Sequence, residues 1–147
     1  LHNLLLFHPL LKEQVQCVLG TQGKGQLGLH LMAYDFSADL NNIYIASFEQ
    51  TQKVNNMRSN VDVTLLWDNR KGNNADHNTG FAISGFGKAR EIHGEEAQSV
   101  ALLLERRNET LQPLLADSQA VVFTIEVDRY QWVEGYTGSV IYTPPRC

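Results

Sequence analysis

The sequence predicts a mainly β fold, an antiparallel barrel of about six strands with peripheral helices, and three observations carry that prediction. Apolar and polar residues alternate with period two through Val15, Cys17 and Leu19, and again through Leu27, Leu29, Leu31 and Ala33. That period marks half-buried strands. The links between the first strands are short turns, Gly23-Lys24-Gly25 and Asp39-Leu40-Asn41-Asn42, so neighbours are expected to pair as hairpins. A doubly wound parallel sheet needs a helix between successive strands, and no such helix fits between the first three.

The elements follow in order. Leucines at helical spacing from Leu1 to Glu13 predict a short helix, kinked or broken near Pro9. Two strands flank the Gly23-Lys24-Gly25 turn, and Ile43-Tyr44-Ile45-Ala46-Ser47 is a third. From Glu49 to Asn60 the residues are polar, with Val54 and Met57 three apart, which predicts a surface helix with a narrow apolar stripe. Val61 to Trp67 returns to strand, and Asn69 to Gly80 reads as a polar loop. Phe81 to Ile92 is a long strand whose Gly85 and Gly87 mark a bulge or a close backbone approach. Glu95 to about Leu115 is an amphipathic helix with acidic residues at its start. Ala120 to Glu134 and Ser139 to Tyr142 complete the strands.

The 147 residues suit one domain over 1–147, with no repeat or linker, and with 43% hydrophobic and 19% charged residues a core is affordable without staples. A formal charge of −4 gives no global pull toward nucleic acid or anionic membrane, so a phosphate must be gripped locally. Cys17 and Cys147 form neither a disulfide framework nor a metal site; a buried small residue and a chain end fit a reduced, cytoplasmic setting. No apolar run is long enough to span a membrane, and Leu1 to Phe7 lacks the basic start and cleavage site of a signal peptide. His77 and His93 have no ligand partner at metal spacing, the glycines at 20, 23, 25 and 28 open no helix, and Ser84 lies within a strand rather than at a nucleophile elbow. Arg106-Arg107 reads as a solvated helix face. Trp132 and Tyr136 either border a pocket or pack elsewhere.

One segment carries an anion-binding argument of its own. Thr51 and Lys53 stand where a strand gives way to a helix, and there free N–H groups and the positive dipole end favour an anion. Thr51 adds a hydroxyl and Lys53 a point charge. The competing reading is a simple N-cap and a solvated lysine.

The order strand, GKG turn, strand, short strand, then Thr51-Gln52-Lys53-Val54-Asn55-Asn56-Met57-Arg58-Ser59-Asn60 followed by Val61-Asp62-Val63-Thr64-Leu65-Leu66-Trp67, resembles the FMN-binding split-barrel superfamily of pyridoxamine 5′-phosphate oxidase and flavin reductase-like proteins. Ile83-Ser84-Gly85-Phe86-Gly87-Lys88-Ala89 is similar to that group's V-x-G-x-A strand. The resemblance covers Gln14 to Ile92, the remainder only in outline. It implies a six-stranded antiparallel split β-barrel, a homodimer with FMN at the subunit interface, and flavin-dependent oxidoreductase chemistry on a small-molecule substrate. The cofactor-binding residues it implies are His30, Leu31, Met32 and Ala33 on the second strand, Ala46 and Ser47 on the third, Thr51 and Lys53 at the helix start, and Trp67 reaching in from the fourth strand or anchoring the interface. Leu31 and Ala33 have core packing as their alternative, and His30 a structural role. Leu65, Leu66 and Trp67 are expected to supply the dimer patch.

Two departures separate the chain from true pyridoxamine phosphate oxidases. Leu27-Gly28-Leu29-His30-Leu31-Met32 lacks both cations of their Arg-x-x-x-x-Lys pattern, and their Arg-Lys pair at the helix start is Gln52-Lys53. The alternatives are a haem- or deazaflavin-binding protein, with His2, His8, His30 or His93 as an axial ligand, and a cofactor-free dimer.

Overall fold

The computed structural model describes residues 2–135 and 138–146, with side chains from residue 4 onward within them. Tyr136 and Cys147, and the side chain of His2, lie outside the described residues. Eight strands are seen: β1 Gln16–Gly23, β2 Gln26–Ala33, β3 Asp35–Phe36, β4 Asn42–Phe48, β5 Asp62–Asp68, β6 Phe81–Ile92, β7 Ala120–Glu134 and β8 Gly138–Tyr142. They form one curled sheet in the order β2-β1-β5-β6-β7-β4-β3, with β8 also on β7. Every pairing is antiparallel. This is a split β-barrel with peripheral helices, as the sequence predicts. The two-residue β3 is too short to show a period.

The β1–β2 hairpin turns through Lys24 and Gly25, both at positive φ, and closes on the Gly23–Gln26 pair. Two positive φ values in succession match the right-handed twist of the flanking strands. The expected bulge lies between Phe86 and Gly87. Val127 faces Gly87 and Arg129 faces Phe86, so Asp128 is the extra residue. A side chain on Gly87 would run into the Glu126 carbonyl.

Five helices dress the sheet: α1 His2–Glu13, α2 Gln52–Ser59, α3 Asp76–Thr79, α4 Gly94–Arg107 and α5 Gln112–Leu115. The predicted break at Pro9 is absent, because α1 continues through it. The bond that Pro9 cannot make would be accepted at Leu5, on the exposed side of the helix, where water serves. The long helix predicted after Glu95 stops at Arg107 and resumes as a 3-10 turn and α5, since Asn108 adopts an extended backbone.

Phe7, Leu10 and Leu11 of α1 plug the barrel against Tyr34, Trp67, Tyr130 and Tyr142. Arg107 is not the solvated face the sequence suggested. It donates to the carbonyls of Leu11 and Gln14 at 2.7 Å and lies 4.7 Å over the Tyr34 ring. It thus satisfies carbonyls left over at the C-terminal end of α1. A second, smaller core joins Val100 and Leu104 of α4 to Ala46, Ile92 and Val122 on the outer side of β4, β6 and β7.

Candidate cofactor site

The junction of β4 and α2 gathers the polar groups. Alternation along β4 turns Ser47 inward, where it is buried, and the chain then leaves the sheet to begin α2. The Ser47 and Thr51 hydroxyls stand 3.3 Å apart. Thr51 holds the N-cap position, but its hydroxyl turns back to the Phe48 carbonyl at 3.1 Å instead of capping the helix. The first-turn N–H groups of α2 therefore receive no side-chain cap from Thr51 and remain able to bind an acceptor. Lys53 is half-buried on that turn and makes no ion pair among the described residues.

A hydrogen-bonded chain ties this turn to β2. Gln52 Nε2 donates to Asn56 Oδ1 at 2.7 Å, and Asn56 Nδ2 donates to Thr21 Oγ1 at 3.0 Å. Thr21 Oγ1 stands 3.0 Å from His30 Nε2. Thr21 and Asn56 are buried. Burial, and next the Lys53 ammonium, hold the His30 imidazole below its usual pKa. The chain of hydrogen bonds thus runs from Gln52, the neighbour of Lys53 on α2, to His30 on β2. β2 ends the sheet, so half of its main-chain groups lack a strand partner and suit the polar rim of a flat ring.

Of the nine expected residues, Ser47 and Thr51 meet at the junction, Lys53 stands two residues further along the chain, and His30 is linked to α2 through Thr21 and Asn56. The other five go elsewhere. Alternation places Leu31 and Ala33 on the opposite face of β2 from His30. Met32 is buried in the barrel core. Ala46 points outward under α4, against Val100 and Leu104. Trp67 is 1% exposed, with its ring 5.7 Å from that of Tyr34 and 6.1 Å from that of Tyr130, so within the chain it packs as a core residue. The period of β5 sends Val63, Leu65 and Trp67 inward, leaving only Leu66 of the expected patch outside. Trp132 packs on Phe81, rings 4.1 Å apart. Thr21, Gln52 and Asn56 carry no signal in the sequence. Asn56 sits among polar neighbours, and its burial arises only because α2 seats on Gly23, where a side chain would overlap the Asn56 amide.

The outer side of the β2-β1-β5 end is bare and apolar. Leu27, Leu29 and Leu31 are 86%, 78% and 67% exposed. Register places Leu31, Val18 and Leu66 in one row, and Leu29, Gly20, Thr64 and Phe86 in the next. A concavity of ≈ 330 Å³ opens among Gly20, Leu27, Leu29, Thr64 and Phe86. It does not reach Ser47, Thr51 or Lys53.

The described histidines offer little to a metal: no cluster of three or more ligating side chains occurs among the described residues. His8 packs edge-on against Phe36, 5.2 Å between centroids, and His93 is exposed beside Glu91. No helix among the described residues is long and apolar enough to cross a membrane.

No family model and no curated protein matches the sequence. Solved structures do. The chain is similar to general stress protein 26 from Bacillus anthracis at 18% identity and TM-score 0.72, over 97% of this chain and 99% of that one. A Clostridium acetobutylicum protein related to general stress protein 26, of the pyridoxinephosphate oxidase family, aligns at 11% identity and TM-score 0.73 over 97% and 94%. A heme binding protein from Mycobacterium smegmatis aligns at 13% identity and TM-score 0.79, over 91% of this chain and 55% of its own length, so the chain spans little more than half of it. Likeness at such identities is a likeness of backbone, and it agrees with the sheet order above: the chain has the split β-barrel fold shared by general stress protein 26 and its pyridoxinephosphate oxidase-family relative.

Proposed function

We propose that the chain binds FMN as a homodimer and serves as a flavin-dependent oxidoreductase, without being a true pyridoxamine phosphate oxidase. The observation that supports this reading is the adjacency of the Ser47 and Thr51 hydroxyls, the uncapped first turn of α2 and Lys53 on that turn, which makes no ion pair among the described residues. A phosphate monoester needs such a set of donors with one cation. The flavin supplies the redox chemistry when bound, and the protein's part is to hold and orient it and to exclude water. The bare leucine face supplies the self-complementary patch for a two-fold partner. An absorbance spectrum of the purified protein with and without added FMN tests the proposal. A flavin spectrum that co-migrates with the protein supports it; protein that stays colourless after FMN is added removes it.

A second reading, haem binding, is favoured by the similarity to the M. smegmatis protein. It requires His8, His30 or His93 as an axial ligand, and His30 would have to leave Thr21. A Soret shift on haem titration, lost with one histidine replaced, selects it.

A further inference from the structure

The polar chain inside this barrel has a direction. Gln52 donates to Asn56 Oδ1, so the Asn56 amide turns Nδ2 toward Thr21 and donates to its oxygen. The hydroxyl proton of Thr21 is then left for the next acceptor, and the atom 3.0 Å away is His30 Nε2. Two glycines make room for the arrangement. A side chain on Gly23 would overlap Asn56, and a Cβ on Gly28 would sit 3.0 Å from His30 Nε2, where the ring lies back along β2. Three side chains from two elements, α2 and β1, are thus committed to one histidine nitrogen, and the ring makes no other hydrogen bond among the described residues.

We infer that Gln52, Asn56 and Thr21 form a positioning relay that fixes His30 as the Nδ1–H tautomer, so that its remaining nitrogen offers a neutral donor to a phosphoryl oxygen of the ligand held beside Lys53. The ligand half of this statement rests on the phosphate reading of the β4–α2 junction. In this arrangement His30 adds a neutral donor, not a second cation, to the hydroxyls, backbone amides and Lys53 of the site. Protonating His30 would force Nε2 to donate to Thr21 and strand the hydroxyl proton, and it would add charge next to Lys53. Burial and Lys53, the charged neighbour that α2 contributes, oppose that protonation. β1 contributes the uncharged Thr21 to the same ring.

The test is nitrogen-15 spectroscopy of the histidine rings in the full chain at pH 7. The wild type is expected to show His30 with the proton on Nδ1. Asn56→Asp keeps the shape but presents only acceptors, so Thr21 must donate to it and His30 Nε2 must become the donor: the tautomer is expected to flip. A wild-type ring protonated on Nε2, or an Asn56→Asp ring still protonated on Nδ1, overturns the relay. The ligand half is read with Thr21→Val, which removes the hydroxyl without touching the proposed phosphate contacts. FMN affinity is expected to fall about tenfold, and riboflavin affinity to stay put. Equal loss for both flavins, or no loss for FMN, overturns the donor role while leaving the relay. Wild-type protein that binds no FMN, yet shows the expected tautomer, overturns the phosphate reading alone.

Discussion

The outer surface of the one sheet has two halves with different fates. Over β4, β7 and β6, the outward residues Ala46, Val122 and Ile92 are buried beneath Val100 and Leu104 of α4. Over β2, β1 and β5, Leu27, Leu29, Leu31 and Leu66 occupy equivalent outward positions with no helix over them. The side chains are of one kind, so hydrophobicity does not distinguish the halves; only what covers them does. A strand whose two faces are both apolar belongs between two layers. On the first half the chain supplies its own second layer. On the second half it leaves the leucine face uncovered, and this is the face that the proposed two-fold partner would cover. On β6, at the seam between α4 and α2, consecutive residues turn to opposite faces: Arg90 pairs outward with Glu96 of α4 at 3.2 Å, and Glu91 pairs inward with Arg58 of α2 at 2.8 Å.

The contrast can be broken from either side. Leu104→Ala empties the covered half and is expected to cost roughly 2–5 kcal/mol in chemical denaturation. A loss below about 1 kcal/mol would mean that α4 is not a structural layer. Leu29→Asp on the bare half is expected to leave the far-UV circular dichroism unchanged and to raise the dimer dissociation constant roughly a hundredfold, since a carboxylate on a two-fold face is buried twice. Sedimentation velocity reads this directly, and a mutant that stays as dimeric as the wild type would move the interface elsewhere. Lys53→Met, at the junction beside the open edge, is expected to weaken FMN binding about tenfold by fluorescence titration, with stability intact. Undiminished affinity would detach the phosphate from α2.

The smallest effect lies at the seam. Hydrogen bonding from Arg58 holds the Glu91 carboxyl below its usual 4.5, against the opposing effect of burial. A carboxyl lowered in the folded state adds stability that is fully present above about pH 4.5 and is lost as pH falls through the folded value. Arg58→Met should therefore cost under about 1 kcal/mol at pH 7, and the gap to wild type should close on acidification. A gap that persists at pH 3 would assign the effect to packing of the Arg58 stem.

Much of the fold was legible because its signals are local. Period-two alternation located β1 and β2, a Val-, Thr- and Trp-rich composition located β5, and Gly23-Lys24-Gly25 located the hairpin. The candidate site was legible in part. Thr51 and Lys53 could be found because a helix start announces itself chemically, and Ser47 because it closes a strand. Ala46 and Ser47 are adjacent in sequence yet face opposite layers, and the same is true of His30 and Leu31. A run of consecutive residues along a strand therefore spans both faces, and the sequence alone does not say which face each side chain takes. Trp67 lies on the inward face of β5, one register step from the outward Leu66.

By itself the sequence determined the β-rich class, the β1–β2 hairpin, and the helix that follows β4 with a lysine in its first turn, because each depends on neighbours within a few residues; the expected pairing of β2 with β4 does not form, since those strands lie toward opposite ends of the sheet. Tertiary structure alone decided that Asn56 and Thr21 are buried together, that Arg107 caps α1, and that one apolar half of the outer sheet surface is covered while the other is bare. Those outcomes depend on which segments, tens of residues apart, are brought into contact, and hydrogen-bond partners or covering layers at that range leave no period in the chain.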